Sequence, residues 1–241
     1  MQKALYPEGD GVCHAIIVHP PAGIAGGDEL EIEARAGASA HALLTTPGAS
    51  RWYRTAGAWA RQSLAFEAAS SACLEWLPQE TIVYDGALAD LSTEVRLAAG
   101  ARFVGWELLC LGRTGSGERF TRGECRVHIS VSREGRLLWR ERGRIEAGGR
   151  LMNAPAGLSG RTVCGTLYAA AADIGPEQVA ACRAVAPAAG EAAVTLLPGL
   201  LLARYLGDSS EAAKRHFVEL WRRLRPALAG REGREPRIWR T

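Results

Sequence analysis

Ala40-His41-Ala42-Leu43-Leu44-Thr45-Thr46-Pro47 is echoed by Ala72-Cys73-Leu74-Glu75-Trp76-Leu77-Pro78, and more loosely by Ala101-Arg102-Phe103-Val104-Gly105-Trp106. Each copy follows a small-residue turn, at Gly37-Ala38, Ser70-Ser71 and Gly100. Past the turns the spacing tightens, because Pro47 and Tyr53 match Pro78 and Tyr84, both pairs 31 residues apart. A unit of that length holds two or three short strands and cannot bury its own apolar face, so successive units must stack on one another. The repeat predicts layered sheets of solenoid or β-helix character, with an ordinary sandwich carrying similar turns as the competing arrangement.

The flanking sequence extends the pattern. Cys13-His14-Ala15-Ile16-Ile17-Val18-His19 is β-branched and stops at Pro20-Pro21, while Glu29 to Arg35 and Arg126 to Val131 alternate with period two, as strands with one wet face do. The tail changes character. Pro176 to Val185 opens with Pro beside an acid, a helix start, and a strand pair follows around Val194 to Leu197 and Leu200 to Tyr205. Asp208-Ser209 then caps a second predicted helix, Ser210 to about Leu224, which Pro226 is expected to end. The chain reads as mainly β: a stacked-sheet, β-helix or solenoid-like body with about two α-helices in the C-terminal third. We take residues 1–241 as one domain, with the β-rich body over about 1–170 and a mixed α/β part over about 171–241.

Composition narrows the function. With 47% hydrophobic and 23% charged residues, the chain has globular composition, which excludes wholesale disorder. Lys3 and Lys214 are its lysines, so 27 of the 29 cations are arginine (29 less 2), a bias that suits fixed carboxylate pairs. Basic residues are interleaved with acids except between Arg222 and Arg240, a run read as a solvated helix face, and no nucleic-acid partner is expected. The six cysteines form no C-x-x-C pair, against a zinc site or a disulfide framework. The greasiest run, Leu196 to Leu206, is broken by Pro198, Gly199 and Arg204 and is short of the ~20 residues of a membrane span. A cytoplasmic protein with no membrane partner is the expectation.

Searching for chemistry returns few motifs. Gly112-Arg113-Thr114-Gly115-Ser116-Gly117 lacks the G-K-[ST] of a phosphate cradle, and there is no H-E-x-x-H and no G-x-S-x-G. Cys13 and His14 are strand neighbours pointing to opposite sides, so they cannot readily share one ion. Glu75 and Glu107 lie inside apolar strands, where a carboxylate must find an arginine, hydrogen bonds or water; Arg51, Arg54, Arg102 and Arg113 are the partners at hand. Two readings stay open. Structural ion pairs are one; the other is a polar path on which Asp28, Ser50, Glu80, Asp85, Glu118 and Glu124, at turns after successive strands, gather along one edge and pass hard or borderline cations. A hydrolase or lyase using Glu75 or Glu107 as general base is the enzymatic alternative.

At the level of longer strings the chain resembles a known family. His19-Pro20-Pro21-Ala22-Gly23-Ile24-Ala25-Gly26-Gly27-Asp28, Leu44-Thr45-Thr46-Pro47-Gly48-Ala49-Ser50 with Tyr53-Arg54, Leu74-Glu75-Trp76-Leu77-Pro78-Gln79-Glu80, Trp106-Glu107 with Leu111-Gly112-Arg113 and Gly117-Glu118, and Pro236-Arg237-Ile238-Trp239 look like the urease accessory protein D family, UreD, called UreH in some organisms. The likeness runs nearly end to end and is diffuse from Arg161 to Leu206. It departs at Ala22, where the family usually has Gly. It also departs at the start, where the family carries several tens of residues before the stretch matching Gln2 to Gly9, so a misplaced Met1 is expected.

The resemblance implies a non-enzymatic scaffold that docks on urease apoprotein and joins the F protein and the GTP-hydrolysing G protein to insert nickel into the urease active site. It implies a β-helical body with C-terminal helices and an internal water-filled channel through which nickel transits without a tightly bound cofactor. Carried over by motif, Asp28, Ser50 and Glu107 would line or flank that channel, with Glu75, Glu80, Asp85 and Glu118 as weaker candidates. Phe217 and Trp221 on the last helix, with Arg237 and Trp239 beyond it, are candidate partner-binding residues because large aromatics and arginine are enriched at interfaces.

Overall fold

The structure, a computed structural model, describes residues 3–19 and 23–240; Pro20, Pro21 and Ala22 lie outside the described residues. Three coils succeed one another. The first comprises β1 (Cys13–Ile16), β2 (Gly23–Ile24) and β3 (Glu29–Ala36), the second β4 (His41–Thr45), β5 (Ser50–Trp52) and β6 (Ala60–Ala68), and the third β7 (Cys73–Trp76), β8 (Thr81–Val83) and β9 (Leu88–Leu97). Equivalent strands pair in parallel, β1 with β4 with β7, β2 with β5 with β8, and β3 with β6 with β9. β10 (Arg102–Leu111) spans both β7 and β8, and β11 (Glu124–Arg133) continues beside β9. The fold is therefore the stacked solenoid that the repeat predicts.

The register reproduces the repeat residue by residue. His41 stands beside Cys73, which stands beside Arg102, so the alanines at 40, 72 and 101 occupy one corner of successive coils. Ser39 and Ser71 at that corner hold φ of 58° and Gly100 holds 68°, a left-handed turn that only small or polar residues enter at low cost. At the next corner Ser50 pairs with Thr81, and the Tyr53 and Tyr84 rings meet edge to face at 5.2 Å with the Arg113 guanidinium over Tyr84.

Alternation decides what fills the stack. Trp52, Phe66, Trp76 and Phe103 point inward and interlock, with Phe66 centred 5.3 Å from Trp76 and 5.8 Å from Phe103. Large inward aromatics on short strands supply the apolar burial that no single coil could.

Beyond β11 the chain folds back. β12 (Arg136–Glu146) closes a five-stranded sheet ordered β12-β11-β9-β6-β3, and a one-turn helix α1 (Arg150–Asn153), absent from the sequence reading, follows it. β13 (Val163–Ala170), β14 (Glu191–Leu197) and β15 (Leu200–Gly207), with helix α2 (Pro176–Arg183) between β13 and β14, then widen the ten-stranded sheet in the order β10-β13-β15-β14, each neighbouring pair antiparallel.

Helix α3 (Ser210–Ala229) lies on the outer face of that sheet. The Ser209 hydroxyl accepts from the Ala212 N–H at 3.1 Å, the expected cap. Its end corrects the expectation at Pro226. The helix runs through Pro226 and stops at Gly230, φ 64°, because a proline in the last turn removes one intrahelical bond while Leu228 behind it is buried. Phe217 and Trp221 are also corrected as partner-facing anchors: both are fully buried between α3 and the sheet, against Trp106, Leu108 and Leu201. Among the described residues no helix is long and apolar enough to cross a membrane.

A buried ionic cluster ties α3 to the solenoid. The Arg225 guanidinium, fully buried, donates to Glu75 through Nε and to both Glu8 oxygens at 2.7 Å. Trp221 Nε1 donates to Glu75 as well, His41 Nε2 lies 2.6 Å from Glu75, and His14 Nε2 lies 2.8 Å from Glu8. Glu75 is thus a structural ion-pair member, and its partner is Arg225. Arg102 and Arg113, expected for that role, serve Asp173 and Glu118. Removing the cation from two buried carboxylates should be severe: Arg225→Leu is expected to lower unfolding free energy by about 3–5 kcal/mol, and clearly more than Glu75→Gln does, in urea titrations. Equal midpoints for the two variants would show that the cluster carries little of the attachment of α3.

Candidate functional site

β10 turns Phe103, Leu109 and Leu111 into the solenoid and Val104, Trp106, Leu108 and Cys110 towards α3. By the same alternation Glu107 points inward, a carboxylate inside an apolar stack. It is only 9% exposed and accepts a hydrogen bond from the Thr81 hydroxyl at 2.8 Å. Burial pushes its pKa up to about 7, and the Thr81 bond works in the opposite direction. Near neutral pH such a carboxyl exchanges its proton readily.

Glu107, Thr81 and Ser50 open onto a cavity of about 480 Å³ between the two sheets. Gln62 of β6 adds an amide, Leu30, Ile32, Leu64 and Trp76 supply apolar wall, and the corner residues His19, Thr46 and Gln79 form the rest of the polar lining. The corners are pinned from outside. Gln79 N–H donates to the Thr46 hydroxyl at 2.9 Å, and Lys214 of α3 donates to the Pro78 carbonyl at 3.0 Å and to Gln79 Oε1 at 3.1 Å. The Lys214 ammonium lies 4.2 Å from the centre of the Trp239 ring and 5.0 Å from that of Trp106, and burial draws its pKa down to about 7. Trp239 Nε1 donates to the Thr45 hydroxyl at 2.7 Å. Trp239 is therefore half-buried in an aromatic cluster, while Arg237 is exposed.

The structure brings Ser50 and Glu107 to this cavity and leaves the other acidic candidates off it. Asp28 is exposed on the turn before β3, accepting from the Ala25 N–H at 2.8 Å. Asp85 is buried at a corner where Thr121 and Arg122 donate to it, and these bonds hold its carboxyl well below the usual range against the opposing effect of burial. Glu118 bonds Arg113 and the Asp85 N–H, and Glu124 bonds Arg126 and Arg144. Glu80 offers its carbonyl to Ser50 N–H, and its carboxylate acts on Lys214 and Cys110 on the outer side. Among the described residues no group of three or more His, Cys, Asp or Glu side chains is placed to hold a metal ion.

Thr81, Gln62, Gln79 and Lys214 were missed. Thr81 had a signal, the same 31-residue step that relates Tyr53 to Tyr84 also relating Ser50 to position 81. Lys214 had none beyond the scarcity of lysine.

The fold and site define a β-solenoid protein with a partly open, mainly apolar cavity that carries a few polar groups, its corner residues held from outside by a helix and a C-terminal strap. Within that class, the family described as UreD urease accessory protein matches residues 1–240, and the chain belongs to it. The urease accessory protein UreD of Azoarcus sp. (strain BH72) is 55% identical over 241 residues, covering all of this chain and 85% of the relative. Those of Dechloromonas aromatica (strain RCB) and Methylobacillus flagellatus are 52% and 51% identical, again over the whole chain and 85% of the relative. The chain is accordingly a urease accessory protein with a role in urease maturation, a maturation factor rather than a catalyst.

The raised pKa of Glu107 has a thermodynamic consequence. Between its ordinary 4.5 and about 7 the folded chain holds a proton that the unfolded chain has lost. The stabilisation is complete below pH 4.5 and disappears as pH rises through 7. The stability of wild type relative to Glu107→Gln should therefore fall by about 3 kcal/mol between pH 4.5 and 8 in urea melts. A pH-independent difference would mean that Glu107 titrates normally.

Proposed function

We propose that this chain, in the cytoplasm, docks on urease apoprotein together with the F and G accessory proteins and passes nickel through its interior during GTP-dependent insertion into the active site. Nucleotide hydrolysis belongs to the G protein in this reading. The observation that carries it is the alignment of Ser50, Thr81 and Glu107 on one partly open cavity in an otherwise apolar stack. Two hydroxyls and one exchangeable carboxyl are oxygen donors too few to trap a divalent ion and sufficient to replace part of its hydration in sequence. A conduit needs such weak serial ligands. Arg237, exposed beside the strap that Trp239 anchors, is the open part of the C-terminal partner surface.

The test measures nickel per urease apoprotein in a host that lacks the native accessory gene and is complemented with variants of this chain. Thr81→Val and Glu107→Leu should each lower nickel content several-fold while the thermal midpoint of the complex is kept. Asp28→Asn, off the cavity, should change it little. Full nickel content in both cavity variants would remove the conduit and leave a docking scaffold.

A further inference from the structure

The cavity is one end of a longer polar row. In the sheet ladder Ser50 pairs with Thr81, Thr81 bonds Glu107, Glu107 pairs with Thr166 of β13, and Thr166 pairs with Arg204 of β15. Directly paired residues share a face with their Cβ atoms about 5 Å apart, so these side chains form one file across the inner face of the ten-stranded sheet. At its end the Arg204 guanidinium donates to the Thr166 hydroxyl at 2.8 Å and, across the gap between the sheets, to Glu141 of β12 at 2.8 Å. The other Glu141 oxygen is buried with no partner. Arg204 is 46% and Glu141 27% exposed, so this end borders solvent, and Glu141 also edges a surface cavity of about 330 Å³ flanked by Arg140 and Arg142.

The charges along the file are ordered. Hydroxyls and a carboxyl favour a cation from Ser50 to Thr166, whereas a fixed guanidinium at the next position opposes one. Resting on the conduit reading above, we propose that the Arg204–Glu141 pair is a gate that closes the internal file to cations at its far end. Glu141 holds the plug in place. Displacing Arg204 onto another carboxylate, such as one on a docked partner, frees the second Glu141 oxygen beside the one already without a partner and turns the barrier into an oxygen site.

Cys164 reports on this end, since it is a free thiol on the same inward face of β13, two residues from Thr166. The experiment compares its modification rates by a trimethylammonium-ethyl and a sulfonatoethyl methanethiosulfonate in the intact chain, read by peptide mass. Arg204→Met should raise the cation-to-anion rate ratio by about tenfold, Arg204→Lys should leave it near wild type, and Glu141→Gln should lower it. Loosened packing alone speeds both reagents together and leaves the ratio unmoved. An unchanged ratio in both Arg204→Met and Glu141→Gln overturns the gate. The nickel assay separates the two readings: lost nickel in Glu107→Leu with an unmoved ratio in Arg204→Met keeps the conduit and removes the gate. A moved ratio with full nickel in Glu107→Leu keeps a charge plug, removes the conduit, and so overturns the gate as a nickel gate.

Discussion

Parallel, in-register pairing of successive coils is the constraint from which the other features follow. It sets each side chain against the residue one coil away, so a choice made in one layer is imposed on the next. Apolar inward positions become the aromatic stack of Trp52, Phe66, Trp76 and Phe103, and small polar ones become the left-handed corner of Ser39, Ser71 and Gly100. A hydroxyl repeated at one inward position becomes a polar column, which is how Ser50 and Thr81 come to face the same cavity. The same ladder binds the parts of the site to each other: Glu107 lies where β10 crosses from β7 to β8, within reach of Thr81.

Polar groups inside such a stack are costly unless each finds a partner. The chain solves this in two ways. On the outer face of the sheet the buried charges are densely paired, with Arg225 bridging Glu75 and Glu8. On the inner face satisfaction is partial: Glu107 has one hydroxyl donor and one Glu141 oxygen has none. The first arrangement fastens a helix to a sheet. The second leaves hydrogen-bonding capacity unused, which is the physical difference between the outer and the inner carboxylates.

Much of the fold was legible because it is local repetition. The alanine echoes at 40, 72 and 101 carry the register, and Tyr53 with Tyr84 carries the step. The two embedded glutamates show where reading stopped. Glu75 stands beside Val104, an outward residue, and Glu107, three positions further along β10, is of opposite parity. The third echo thus held their separation into one outer and one inner carboxylate, although its loose match hid the register. The partner of Glu75, by contrast, lies 150 residues away on α3, where Arg225 looks like one more arginine at a basic helix end. No local pattern distinguishes it. Thr166 and Arg204 were equally hidden, since antiparallel return strands carry no repeat to register them.

The Tyr53, Tyr84 and Arg113 stack has a meaning on the evolutionary timescale. Each group covers the next, so the heritable unit at that corner is the column and not the residue. Drift at position 84 exposes neighbours on both sides and is tolerated when 53 or 113 changes with it. Lineages descending from such a chain should therefore carry correlated substitutions spaced by one coil, a long-range covariation produced by nothing more than contact.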